Sequence, residues 1–494
     1  METSNNFDVI IIGAGISGIN AAYRLQTESP DHSYAILEAR GNMGGTWDLF
    51  KYPGIRSDSD LHTFGFPFRP WVGPPIAEAP AIKKYMEETA SAYGIDRHIQ
   101  YHHKMTAANW SSDQQSWQLT VTSGDETKYY HARFILFATG YYNYDEALPA
   151  NIPGIDTFEG LVVHPQFWPT DLDYADKKIV IIGSGATAIT LLPNLAKTAA
   201  KVTMLQRSPS YILSLPQKDP ITYWSRRLLP ESWAYRLTRA RFLVLPLLFF
   251  KFCRAFPNAA RRLLQKGAAK QLPPGYPIKP NLDPAYGPWE QRLGISPNGD
   301  FYKAIRDGKA DIVTGHIKQI TEKSIVVAKN SSGDGEEETE TLDPDIIITA
   351  TGLKILIGGG ATISVDHTPV TVADKYVWKG LMLSDVPNAA VVIGYTNASW
   401  TLGADATALS VTRLLNYMKK NGYASATPTV DRQRPMGEQP VLNLNSTYIV
   451  RAKGALPKTG DRAPWLPRST YFSDLWQARF GSLTRDMRFE RVKG

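Results

Sequence analysis

Val9-Ile10-Ile11-Ile12-Gly13-Ala14-Gly15-Ile16-Ser17-Gly18 is an apolar run of strand length that breaks into a glycine loop and continues as a helical pattern through Leu25. That order begins a βαβ unit shaped for a dinucleotide. Gly13 allows the tight turn, Gly15 lets a pyrophosphate approach the main chain, and Gly18 lets the helix pack on the strand with its positive end toward phosphate. Tyr34 to Leu37 reads as the second strand, and Glu38, 25 positions after Gly13, can accept from ribose hydroxyls. A glycine triplet alone can be a mere tight turn; strand, helix and acid together select the nucleotide reading.

The residues after Glu38 favour FAD over NAD. Gly44-Gly45-Thr46-Trp47 runs on into Tyr52-Pro53-Gly54-Ile55-Arg56-Ser57-Asp58, so that two glycines let backbone press on a cofactor and Trp47 offers a flat face to a ring system. The plan then repeats: Ile179 to Ile182 is a strand, Gly183-Ser184-Gly185-Ala186-Thr187-Ala188 its loop, and Ala188 stands where the third glycine would. The next strand ends in Gln206-Arg207-Ser208, with Arg207 24 positions after Gly183, where an NAD site would carry an acid. A guanidinium and a hydroxyl suit the 2′-phosphate of NADPH, which a carboxylate would repel. An exposed arginine after a strand is the plain alternative.

The expected fold class is α/β, with two doubly wound Rossmann-like dinucleotide-binding domains and a helical insertion in the second. Residues 1–145 and 385–494 are assigned to a discontinuous FAD domain, 146–176 to a linker, 177–384 to an NADP domain, and 209–275 to the insertion, where strand signal vanishes. Val391-Val392-Ile393-Gly394 reads as the strand that returns to the first sheet, and the polar, proline-rich tail after about Thr427 as a surface wrap. Ala138-Thr139-Gly140 and Ala350-Thr351-Gly352 mark the exits from the two nucleotide units.

Composition narrows the class. The 494 residues, 43% hydrophobic and 20% charged, can bury two or three cores. Cys253 is the single cysteine, so no dithiol exists and flavin-dependent disulfide reductases are excluded. The polar N-terminus fits no signal peptide, and a cytoplasmic enzyme is expected. Lys and Arg are spread along the chain without a nucleic-acid motif, so the net charge of +7 is read as serving an anionic cofactor and a membrane surface. The apolar stretch Phe242 to Phe250, within the base-flanked segment 236–254 and broken by Pro246, is too short to span a bilayer. It reads equally as an interfacial helix, peripheral to the membrane, or as a core helix. No metal is expected.

Phe158-Glu159-Gly160-Leu161-Val162-Val163-His164-Pro165-Gln166-Phe167-Trp168-Pro169 precedes the second glycine loop, and Pro288-Trp289-Glu290-Gln291-Arg292 lies beyond the insertion. With Gly45-Thr46-Trp47 to Asp58, these blocks resemble the type I Baeyer–Villiger monooxygenases. The likeness runs end to end with the branch of the mycobacterial ethionamide-activating monooxygenases, carried also by Gly394-Tyr395-Thr396-Asn397-Ala398-Ser399-Trp400. Asn281-Leu282 departs from the His-Phe frequent there, which bears on substrate shape.

The resemblance implies that NADPH reduces FAD, O2 forms a peroxyflavin, and Arg292 stabilises the peroxyanion and the tetrahedral adduct of a ketone, with Asp58 holding Arg292. It implies FAD contacts at Gly13, Gly15, Ser17, Gly18, Glu38, Gly45, Thr46, Trp47, Asp48, Leu49, Asp58 and Met105. It places NADP contacts at Arg56, Ser57 and Asp58, at the loop Gly183 to Ala188, and at Arg207 and Ser208. Phe158, Gly160, His164 and Trp168 carry the fingerprint, His164 as a hinge group rather than an acid–base residue, and Asn397 and Trp400 line a pocket unless they are simple core. The substrate would be a small apolar ketone or thioether. The rivals are a flavin monooxygenase confined to nitrogen and sulfur, which needs no arginine beside the ring, and a non-catalytic NADP-sensing flavoprotein.

Overall fold

The computed structural model describes residues 5–329, 338–431, 433–442 and 451–493. Asn6–Ile12 lies between the parallel strands Tyr34–Leu37 and Glu126–Phe137, with side chains alternating between two packed layers. Val9 and Ile11 face the core built with helices Ile16–Glu28 and Trp400–Asn421; Ile10 and Ile12 face Trp110, Trp117 and Leu119. Burial on both sides is why its Val9–Ile12 stretch is continuously apolar. Lys104–Ser111, Ser116–Ser123 and Glu126–Phe137 form an antiparallel meander whose last strand also borders Asn6–Ile12.

The second sheet repeats the logic. Ala310–Ile320, Lys201–Gln206, Lys178–Ile182, Ile346–Thr349 and Leu161–Val163 lie side by side in parallel, extended by the antiparallel strands Ile325–Lys329 and Thr339–Leu342. Three features differ from expectation. Leu161–Val163, read as linker, is the edge strand of this sheet, paired with Ile346–Ile348. The chain rejoins the first sheet at Thr362–Val365, beside Ala107–Trp110, well before residue 385, and Ala389–Val391 then pairs with Ile135–Phe137. Ile212–Leu215 is a strand inside the supposedly helical 209–275, pairing with Gly294–Pro297; at four residues between Pro209 and Pro216 it is too short to show a period.

The insertion otherwise consists of helices Pro220–Leu228, Glu231–Ala255 and Pro257–Ala269. The tail does more than wrap the surface: Met487–Arg491 pairs with Tyr423–Pro428, and Trp465 is 1% exposed in the first core.

Two crossings join the halves, and they run together. Asn143 N–H donates to the Lys354 carbonyl (2.8 Å) and Leu356 N–H to that of Tyr141 (3.0 Å), around an antiparallel bridge between Tyr142 and Ile355.

Candidate active site

The first glycine loop is as tight as its residues require. Gly13 has φ +104°, and a Cβ there would sit 2.8 Å from the Ala138 carbonyl oxygen; on Gly18 it would sit 2.0 Å from that of Gly13. Gly15 instead faces Gly45 across an open notch, where a Cβ on Gly15 would lie 3.8 Å from the Gly45 Cα. Gly45 itself takes φ +54° to start the helix Thr46–Leu49. Glu38 is 6% exposed and accepts from Ala14 N–H (2.7 Å) and Arg40 N–H (3.0 Å), which oppose the upward push of burial on its carboxyl. Above the notch, Trp400 donates from Nε1 to Ser17 Oγ (3.0 Å) and stacks on Tyr141, centroids 4.7 Å apart.

Asp48 is buried and held by Arg40 (2.8 Å) and Lys83 (2.7 Å), while Trp47 meets Phe64 edge-on at 5.5 Å. Thr46 pairs with the Tyr144 hydroxyl (3.2 Å), and Leu49 packs into the core of the second half. Met105 points into the core behind the first sheet with Ile12 and Leu37.

In the second loop Gly183 has φ +136°, with the Ala350 carbonyl 2.2 Å from where a Cβ would stand. Gly185 meets nothing within 4 Å, and Gly185 and Ala186 are exposed at the N-terminus of helix Ala186–Leu195, an open cradle of the kind phosphate takes. Ser184 Oγ donates to the Ser208 carbonyl (2.7 Å), Thr187 pairs with the Tyr52 hydroxyl, and Arg207 is exposed at its strand end. Ala188 is buried against the sheet.

Between the loops the segment Tyr52 to Asp58 crosses from the first half to the second. Arg56, expected to touch NADP, has a guanidinium only 8% exposed that is paired with Asp300 and donates to the Ile295 carbonyl (3.4 Å). Ser57, expected there too, turns its hydroxyl onto the Ser59 carbonyl (2.7 Å). Arg56 thus clamps the loop to the second half, while Ser57 shapes the turn within it. Asp58 remains at the surface and meets Arg292 Nη1 at 3.2 Å.

Arg292 is aimed by its own turn. Trp289 sits at φ +69°, a conformation few bulky residues adopt, with the Phe250 ring edge-on at 5.6 Å. The chain beyond it carries Arg292 to the first half, where Nε donates to the Thr396 carbonyl (3.3 Å) and Nη2 to those of Tyr395 (2.9 Å) and Ala398 (3.4 Å). Three carbonyls and a carboxylate thus fix one guanidinium at the junction. These carbonyls, Asp300 and Tyr141 were not singled out from sequence, since backbone acceptors leave no residue-type signal. Asn397 Nδ2 donates to the Ser469 carbonyl (3.5 Å).

The fingerprint supplies the edge strand of the second sheet, with flanking residues in both core layers. Phe158 packs on Val180 and Ile182, Gly160 has no room for a Cβ beside the Phe158 ring, and Trp168 enters the opposite core layer. His164 Nδ1 accepts from Gln166 N–H (3.2 Å), and burial lowers the imidazole pKa. Gln166 Nε2 donates to the carbonyl of Asn143 (2.8 Å), on the crossing ribbon.

The architecture is that of Baeyer–Villiger monooxygenases. A steroid monooxygenase bound to NADP superposes with TM-score 0.72 at 20% identity, covering 99% of this chain and all of that one. Cyclohexanone monooxygenase gives 0.71 at 20% identity over 98% of this chain and all of its own. Residues 10–220 match the family described as pyridine nucleotide-disulphide oxidoreductase, although a chain with one cysteine has no dithiol. The chain is 46% identical to the FAD-containing monooxygenase EthA of Mycolicibacterium smegmatis over 98% of its length and 96% of the relative's. It is 42% identical to the probable FAD-binding monooxygenase AlmA of Acinetobacter baylyi over 99% and 98%. It belongs to this family of FAD-containing monooxygenases.

Proposed function

We propose that this protein is an NADPH-consuming Baeyer–Villiger monooxygenase that inserts one oxygen atom of O2 beside the carbonyl of apolar ketones, giving esters or lactones, and oxidises thioethers to sulfoxides. The observation that carries this reading is Arg292, fixed at the junction of two nucleotide-type units by Asp58 and three carbonyls.

The residues fit the cofactors. The Gly15–Gly45 notch leaves space that a Cβ would fill, with Glu38 at its rim for a ribose, and the exposed Gly185–Ala186 N-terminus with Arg207 suits a phosphorylated dinucleotide. Bound flavin, reduced by the nicotinamide, supplies activated oxygen. Arg292 contributes a charge that cannot be lost at working pH, placed to stabilise the anion that develops on oxygen as the carbonyl is attacked. Asp58 positions it, Tyr141 and Trp400 form an aromatic wall that excludes water, and His164 acts as a positioning group through the ribbon. Such substrates partition into lipid, and a peripheral membrane contact of residues 236–254 belongs to the same reading.

The test is product mass analysis with linear, cyclic and aryl ketones and one thioether, with NADPH and NADH in parallel. Arg292→Ala is expected to lower ketone oxidation by about a hundredfold or more while sulfoxidation persists. Undiminished ketone oxidation in that variant would refute the assignment; no ketone-stimulated NADPH consumption would favour a non-catalytic flavoprotein.

A further inference from the structure

The insertion is two-faced. The inner face of helix Glu231–Ala255 walls the active-site region: Phe242 meets the His62 ring at 4.7 Å, Phe250 packs on Trp289, and Leu243 joins the cluster of Tyr395 and Leu402. Buried Arg239 ties the helix to the first half through the His62 (2.7 Å) and Gly65 (3.2 Å) carbonyls.

Among the described residues no element covers the outer face. Trp233, Leu237, Val244 and Leu248 are 63%, 47%, 41% and 55% exposed, and their spacings of 4, 7 and 4 residues put them on one stripe of the helix. Ile221, Trp224 and Leu228 repeat this on the neighbouring helix Pro220–Leu228, at spacings of 3 and 4. Of 23 exposed large apolar side chains among the described residues, 12 lie between Ile221 and Leu263. Single exposed apolar residues are ordinary; a concentration of this kind marks an interaction surface.

Charge identifies the occupant. Residues 220–270 hold eleven Lys and Arg and one acid, Glu231, so against a total of +7 the rest of the chain is net acidic. The basic excess is therefore gathered at the insertion, contrary to the even spread read from the sequence. Arg227, Arg236, Lys251, Arg254 and Arg262 are all exposed around the apolar stripes. No single helix among the described residues is long and apolar enough to cross a membrane, and the next helix turns away by 117°.

We propose that the outer face of Pro220–Ala269 lies in the headgroup region of an anionic lipid bilayer, with Trp224 and Trp233 at the interface and the guanidinium and ammonium groups on lipid phosphates. Docking of this kind puts the wall between lipid and active site one helix thick, so an apolar substrate reaches the crevice without crossing bulk water.

The experiment is flotation of the flavin-loaded enzyme with phosphatidylcholine vesicles containing about one-fifth phosphatidylglycerol, and with vesicles of phosphatidylcholine alone. The expected result is binding to the anionic vesicles that falls about tenfold or more on neutral ones and in high salt. A Trp233→Gln/Leu248→Gln variant should lose binding to both. A Lys251→Glu/Arg254→Glu variant should lose the preference for anionic lipid, and both should keep flavin absorbance and wild-type turnover of a water-soluble ketone. Absent or charge-independent binding, or unchanged binding in the first variant, overturns the proposal. So does light scattering that shows a dimer which either variant converts to monomer, because the face then belongs to a second copy. Flotation needs no turnover, so its failure leaves the reaction assignment standing.

Discussion

Arg292 and Asp58 form a pair about one-third exposed, so the carboxylate contributes less than a buried partner would. Because three carbonyls also hold the guanidinium, Asp58→Asn should lower ketone turnover only several-fold to about tenfold, far less than Arg292→Ala; an equal loss would show that Asp58 does more than position. Asp60 offers a second test. It caps the helix Leu61–Phe64 by accepting from Thr63 N–H (2.8 Å) and Oγ1 (2.7 Å), and burial pushes its carboxyl up to about 6. The folded state thus holds this proton more tightly than the unfolded chain. Its stabilising contribution is complete below the ordinary carboxylate range and is lost as pH rises through about 6. The Tm of wild type relative to Asp60→Asn should accordingly fall between about pH 4 and 7, and a flat difference would remove Asp60 as the cause. Glu38 was legible because a fixed spacing separates it from the glycines. Arg292's cage was not, because its carbonyls lie a hundred residues away and belong to no residue type.

Among elements, the two glycine loops separate packing from cofactor space. Gly18→Ala drives a Cβ to 2.0 Å from the Gly13 carbonyl oxygen and must shift the helix. Gly15→Ala only narrows the notch against Gly45. Thermal melts and flavin absorbance should therefore diverge: Gly18→Ala loses stability and flavin, whereas Gly15→Ala keeps a near-native Tm and loses flavin. A stable, fully loaded Gly15→Ala would contradict the notch as the cofactor's seat. Strand stretches buried on both faces, such as Val9–Ile12 and Ile179–Ile182, declare themselves as continuous apolar runs. Leu161–Val163 and Ile212–Leu215 do not, being three or four residues long and partly exposed, so only their pairing defines them.

At the level of the whole molecule the halves are clasped by Arg56 on Asp300 and by Gln217, which brackets the Ile76 main chain through N–H (3.1 Å) and carbonyl (2.9 Å) bonds. Asp300→Ala strands a nearly buried guanidinium and should destabilise by about 3 kcal/mol, whereas Arg56→Leu/Asp300→Leu should recover most of that. Calorimetry distinguishes them, and a harmless single variant would rule out the clasp. The pairing of Arg56 with Asp300 was not legible in the sequence, since the two lie 244 positions apart.

The paired crossings at Tyr141–Asn143 and Lys354–Leu356 carry a mechanical consequence. Two chains hydrogen-bonded edge to edge resist bending within their own plane and yield across it, as a strap does. A swing of one nucleotide unit over the other would bend this strap most easily across its plane. Gln166, gripping Asn143 from the fingerprint, ties that strap to the edge of the second sheet.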